Sequence, residues 1–208
     1  MFPFDVILFD VGGVLLTNGW DHGERAVAAA KFGLDAQELE ARNSHVMDSW
    51  DRGEIGLKQY LDATVFYEPR QFSQDEFFAF MLSKSQPLPN GALQILAELA
   101  ASNPCASNPC MLGALNNEAR ETNEYRFSHF GLRRYFKVAF SSCYMGLRKP
   151  EPAIYQRTLD ILGRKPERVL FIDDRAENVA AGSAAGMKAI QFTGADTLRS
   201  EFSNLGVL

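Results

Sequence analysis

Short runs of apolar residues alternate along this chain with stretches in which apolar side chains recur every three or four positions. Val6-Ile7-Leu8-Phe9, Met111-Leu112-Gly113-Ala114-Leu115, Phe136 to Phe140, Val169 to Ile172 and Lys188 to Phe192 have the length and composition of strands. Most of them are apolar throughout, the pattern of strands covered on both faces, as in a parallel sheet. Between them, Leu93, Leu96, Leu99 and Ala100 follow Asn90 at helical spacing. Pro152 opens a helix carrying Ile154, Tyr155, Leu159 and Leu162, which Gly163 stops. A further helix over 176–185 ends at Gly186. This order predicts an α/β fold with a doubly wound parallel sheet.

One interval breaks the rhythm. About 100 residues separate the first strand from the second, whereas a βαβ unit needs about 30. Asp35-x-x-Glu38 and Ser73-x-x-Glu76 have the form of capping boxes, each ahead of spaced apolar residues, Leu39 to Trp50 and Phe77 to Leu82. Residues 17–87 therefore read as a small helical cap domain, and 1–16 with 88–208 as the core. An insertion after the first strand overhangs the sheet edge where doubly wound folds bind ligands. Phe66, Tyr67, Phe72, Phe77, Phe78 and Phe80 are expected in the interior of that cap rather than on a pocket wall.

Composition narrows the function classes. A net charge of −5 gives no basic footprint for nucleic acid. No run of 18 apolar residues spans a membrane. Met1 to Leu16 lacks Lys and Arg and holds Asp5 and Asp10, so it reads as a strand rather than a signal peptide. Cys105, Cys110 and Cys143 form no disulfide framework, which suits a reducing, cytoplasmic setting. Residues 101–110 repeat Ala-Ser-Asn-Pro-Cys in tandem, and the Asn-Pro steps read as turns of a surface loop without chemistry. The expected partner is a small phosphorylated molecule, and the protein is expected as a monomer or homodimer.

The residues able to do chemistry fall at strand ends. Asp10 ends the first strand ahead of Gly12-Gly13, Asn116-Asn117 end the second, Asp173-Asp174 end the fourth, and Lys149 lies in Arg148-Lys149-Pro150. In an open sheet these ends converge on one crevice. Three carboxylates in one crevice repel one another unless a cation sits among them, and oxygen ligands without His or Cys point to Mg²⁺.

Phe9-Asp10-Val11-Gly12-Gly13-Val14-Leu15, Leu115-Asn116-Asn117, Arg148-Lys149-Pro150 and Phe171-Ile172-Asp173-Asp174-x-x-x-Asn178 resemble, in order, the four motifs of the haloacid dehalogenase superfamily. The resemblance covers essentially the whole chain. Trp50-Asp51-Arg52-Gly53-Glu54-Ile55 is similar to the cap of its epoxide-hydrolase-like and glucose-1-phosphatase-like subgroup. It implies a Rossmann-like core and a magnesium-dependent phosphatase acting on a small metabolite such as a sugar phosphate. Asp10 is then the nucleophile that forms an aspartyl-phosphate. Lys149 holds nucleophile and phosphate, and Asn116, Asn117 and Gly13 bind substrate. Asp10, Asp174, the Gly12 carbonyl and Asp173 surround the metal, with Asn178 supporting its waters.

Two positions depart from that pattern. Gly12 stands where family phosphatases carry the aspartate that protonates the leaving group, a contribution of about 10²- to 10⁴-fold. Asn116 stands where Ser or Thr binds phosphate, and its amide can still donate. Three readings follow: a phosphatase, a metal-independent haloacid dehalogenase, and a binding or regulatory protein without turnover. His22, nine residues after Gly13, is the sequence's candidate for the missing acid. His45 and His129 have no ligand partners in the pattern.

Overall fold

The computed structural model describes residues 3–102 and 110–208. Strands β1 (Val6–Phe9), β2 (Met111–Asn116), β3 (Val138–Ser141), β4 (Val169–Asp173) and β5 (Lys188–Gln191) form one parallel sheet in the order β3-β2-β1-β4-β5. Central β1 pairs with β2, Val6 opposite Met111, and with β4, Val6 opposite Val169. All four of its side chains are buried, and they divide between two layers because successive strand residues face opposite ways. Ile7 and Phe9 join Leu112, Leu170 and Ile172 against helices α5 (Leu93–Ser102) and α10 (Ala195–Asn204). Val6 and Leu8 join Val169 and Phe171 against α8 (Pro152–Leu162).

The chain moves outward from β1 through β2 to β3, then returns to place β4 on the other side of β1. Connections leaving the C-terminal ends of β1 and β4 therefore run to opposite sides. That is where doubly wound sheets open a crevice.

Helices α1 (His22–Phe32), α2 (Ala36–Asp51), α3 (Leu57–Thr64) and α4 (Gln74–Ser83) occupy the long interval before α5. Their apolar faces form a cluster of their own. Trp50 stacks on Tyr60 at 3.9 Å, and Phe32, Phe66, Phe72 and Phe77 pack ring to ring. Ser73 and Glu76 cap α4 reciprocally, each side chain accepting from the other's backbone N–H. At α2 only half of the expected box forms. Asp35 accepts from Gln37 and Glu38, while the Glu38 carboxylate turns outward to Arg42.

The segments entering and leaving these helices run side by side. Thr17 N–H donates to the Gln86 carbonyl at 2.8 Å, and Thr17 Oγ1 donates to the Lys84 carbonyl at 2.7 Å.

The third strand starts later than the expected 136–140. Gly131 adopts a left-handed conformation ahead of a tight helical turn at Leu132–Arg134, and Phe136 N–H still bonds back to Leu132 at 3.2 Å. Phe136 is thus apolar because it is buried from that turn, and the strand begins at Val138. Helix α7 (Ser142–Met145), α6 (Arg120–His129) and α9 (Ala176–Ala184) complete the core. Residues 103–109 of the tandem repeat, Cys105 among them, lie outside the described residues. Among the described residues no helix is long and apolar enough to cross a membrane.

Candidate active site

Asp10 leaves the end of β1 with its backbone still in the sheet, its N–H donating to Ile172 O at 2.9 Å. The chain then folds back at once: Leu15 and Leu16 N–H both bond to the Val11 carbonyl, and Gly13 N–H donates to Leu16 O. Gly13 sits at φ +73°, and a Cβ on it would stand 2.3 Å from Asp174 Oδ2. Only glycine allows this turn and this approach together. Because the Gly13 N–H is engaged within the turn, its contribution is the missing side chain rather than a free donor.

Lys149, 2% exposed, meets three oxygens. Its Nζ lies 2.9 Å from Asp10 Oδ2, 2.6 Å from Asp173 Oδ2 and 2.9 Å from the Leu115 carbonyl. Its backbone is gripped by Asn117, whose Oδ1 accepts from Lys149 N–H and whose Nδ2 donates to Lys149 O, both at 2.8 Å. Fully buried Asp173 uses its second oxygen to accept from Arg175 N–H at 2.9 Å and Asn178 Nδ2 at 3.0 Å. Asp173 therefore fastens Lys149 and Asn178, and Asp10 and Asp174 keep the more open carboxylate edges.

One oxygen from each of Asp10, Asp173 and Asp174 fits within a span of 4.8 Å. Burial, then Asp173, push the Asp10 carboxyl up against the pull of Lys149, and burial followed by Asp173 also raises Asp174. Burial opposes the charge on Lys149, yet Asp10 and Asp173 hold it above its ordinary value. One ammonium among three carboxylates leaves an excess of negative charge, and the donors are all hard oxygens. Such a set fits Mg²⁺.

Asn116 is placed differently from its neighbour. It is 1% exposed, donates to Asn123 Oδ1 at 3.0 Å and accepts from Ser141 Oγ at 2.8 Å. Its amide closes a buried polar network, and it is Asn117 that borders the cavity. His22 has a side chain 80% exposed, with Nδ1 3.3 Å from Glu40. His45 and His129 are exposed, His129 stacking on Tyr125.

Above the carboxylates lies a cavity of about 580 Å³ whose walls come from both the sheet and the inserted helices. Asn18, Arg25, Asn43, Asp51, Glu118 and Arg126 line it, and of these the sequence pattern marks only Asp51, as part of the cap motif Trp50 to Ile55 and without a role. Arg126 is buried, donating to Ser85 Oγ, the Thr17 carbonyl and Glu118 Oε2. It ties both segments that lead to the inserted helices to the core. Of the aromatic cluster of those helices, Trp20 lines this cavity, while Phe66, Phe72, Phe77, Phe78 and Phe80 are not among its lining residues.

A family model for haloacid dehalogenase-like hydrolases matches residues 4–186. The chain belongs to that family. As a haloacid dehalogenase-like hydrolase it is an enzyme. Flavin mononucleotide hydrolase 1 of Arabidopsis thaliana is 27% identical over 207 residues, 97% of this chain and 78% of the relative. Bifunctional epoxide hydrolase 2 of Sus scrofa is 34% identical over 218 residues, with 95% of this chain matching 38% of that longer protein. A haloacid dehalogenase family enzyme of Bacteroides thetaiotaomicron, solved with magnesium and inorganic phosphate, superposes with a TM-score of 0.75. The match covers 92% of this chain and 95% of the other at 20% identity.

Proposed function

We propose that this hydrolase is a magnesium-dependent phosphatase that cleaves a small phosphorylated metabolite, such as a sugar phosphate, through an aspartyl-phosphate on Asp10. The observation that carries the reading is Lys149 Nζ held between Asp10 and Asp173 with Asp174 alongside. The Bacteroides enzyme's complex with magnesium and phosphate and the Arabidopsis relative's name as a hydrolase of flavin mononucleotide support it.

On this reading Asp10 attacks phosphorus while Lys149 screens the negative charge of nucleophile and phosphate. Asp173 and Asn117 fix Lys149, one at its ammonium and one at its backbone. Asp10, Asp174 and the Gly12 carbonyl would hold Mg²⁺ with Asp173 behind them, and the ion supplies charge neutralisation and orientation of the phosphate. Asn116 acts at one remove, through the network with Asn123 and Ser141 at the end of β2. The polar walls of the cavity, Asn18, Arg25 and Asn43 among them, suit a hydroxylated leaving group. A haloacid substrate is disfavoured, since half-buried Asp174 would repel a carboxylate.

Phosphate release from a panel of phosphorylated metabolites, with Mg²⁺ and with EDTA, tests the reading. Magnesium-dependent release from at least one sugar phosphate is the expected result. No release from any member would leave a binding protein, and halide release from a 2-haloacid without metal would leave a dehalogenase.

A further inference from the structure

Gly12 brings no carboxyl to the leaving-group side of the crevice. A Cβ there would stand 3.1 Å from Asn18 Oδ1 and 3.5 Å from Arg126 Nη1, so side chains from elsewhere already occupy that space. Arginine cannot serve as the acid, because a guanidinium keeps its protons throughout the working range.

Apart from the arginines and from Asp10, Lys149 and Asp174, already placed at the nucleophile and metal site, the titratable groups lining the cavity are Asp21, His22, Asp51 and Glu118. Exposed Asp21 caps α1, accepting from Glu24 N–H at 3.0 Å. His22 is exposed and turned to Glu40. Glu118 accepts from Arg126 Nη1 at 2.7 Å and serves to hold that guanidinium, which in turn ties the segments leading to the inserted helices. Asp51 differs from all three. It is 4% exposed, and it is the last residue of α2, where the negative end of the helix dipole disfavours a second negative charge.

We propose that Asp51, carried into the crevice by the inserted helices, protonates the leaving-group oxygen in place of the aspartate absent at position 12. The inference rests on the phosphatase reading above. The end of α2 is docked on the core all round Asp51. Ser142 Oγ donates to the Asp51 carbonyl at 2.7 Å, Trp50 Nε1 donates to Glu121 at 3.1 Å, and Arg52 pairs with Glu151. The acid is thus in place only while the cap is seated.

The charged groups facing Asp51 come from four elements. Arg52, the C-cap of α2, follows it directly, and Glu118 follows β2. Arg148 Nη2, on the loop before α8, lies 3.3 Å from Oδ2 while the same guanidinium also engages Asp48. Arg175 follows β4. Burial, then Glu118, push the Asp51 carboxyl up to about 8 against Arg175 and Arg52, so it carries a proton at neutral pH.

In the first half-reaction Asp10 forms the O–P bond, and the bond from phosphorus to the leaving oxygen breaks with its electron pair on that oxygen. The Asp51 proton passes to it and releases an alcohol, leaving Asp51 as carboxylate. In the second, water attacks phosphorus, Asp51 takes the proton from that water, and the Asp10–phosphorus bond breaks. Inorganic phosphate leaves and both aspartates return to their starting states.

The test compares kcat/KM for 4-nitrophenyl phosphate, whose leaving group needs no proton, with that for glycerol 3-phosphate, whose leaving group does. The full chain is used with Mg²⁺, as wild type, Asp51→Asn and Asp51→Glu. The ratio of the two substrates is independent of how much variant is folded. Asp51→Asn is expected to lower the alkyl-to-aryl ratio by about 10²- to 10⁴-fold, with part of it restored in Asp51→Glu. A ratio within threefold of wild type in Asp51→Asn would overturn the assignment. If wild type releases phosphate with Mg²⁺ from neither substrate nor any member of the metabolite panel, the phosphatase reading itself falls and the assignment with it.

Discussion

Lys149 Nζ stands 2.9 Å from Asp10 Oδ2, although 139 residues separate the two in the chain. The contact exists because β1 is central and the loop before α8 returns over its C-terminal end. Replacing Lys149 with Met leaves three carboxylates without their cation. Removing one member of a buried ion pair costs about 3–5 kcal/mol, and Lys149→Met is expected to lose that much stability in urea unfolding at neutral pH. A variant as stable as wild type would show that Asp10 and Asp173 do not depend on the ammonium.

Gly13 controls the approach of Asp174. In Gly13→Ala the new methyl cannot share space with a carboxylate oxygen 2.3 Å away, and alanine resists φ +73°. Calorimetric titration with Mg²⁺ is expected to show affinity reduced at least about tenfold, as it is in Asp174→Ala, the loss typical when a metal site's support is disturbed. Wild-type affinity in both variants would place the ion elsewhere.

Arg126 holds the inserted helices to the core. Arg126→Leu strands Glu118 and abandons the hydrogen bonds to Thr17 and Ser85. A loss of about 3–5 kcal/mol in the denaturant midpoint analysis follows from uncovering a buried charge. In Arg126→Lys the charge is kept and the loss is expected to be smaller. Equal losses in the two variants would show that the geometry of the guanidinium, rather than its charge, is what matters.

The pH dependence follows from Asp51. Its carboxyl is raised to about 8, so the protonated form needed for leaving-group departure is present below that value and lost above it. Turnover of an alkyl phosphate is expected to fall as pH rises through about 8, and the residual rate of Asp51→Asn should lack that alkaline limb. The same limb persisting in the variant would assign it to another group.

Much of the fold can be read from the apolar runs, because β1 and β4 are buried on both faces and show it residue by residue. The length of the interval after β1 likewise exposes the inserted helices. Asp10, Lys149 and the Asp173-Asp174 pair are legible because strand ends of a doubly wound sheet meet at one place. Asn116 and Asn117 are not separable in that way: neighbours at a strand end point to opposite sides, and only the register decides which reaches the cavity. Phe136 misleads because burial from a helical turn looks the same as burial from a strand. Asp51, Glu118 and Arg126 sit on helices and loops whose arrival at the crevice depends on tertiary packing; the Trp50 to Ile55 motif marks the cap without assigning Asp51 a role, and no local pattern distinguishes Glu118 and Arg126 from other charged residues. His22 is near Gly13 in the chain but turned to solvent in the fold.

With a sugar phosphate that wild type hydrolyses at saturating Mg²⁺, the rate of phosphate release by Asp10→Asn measures whether the Asp10 carboxylate is the nucleophile. The substitution keeps the volume and the Val11 N–H bond to Oδ1 available. A fall of at least about 10³-fold in kcat, with the thermal unfolding midpoint retained, is the predicted result. Turnover within tenfold of wild type would contradict it.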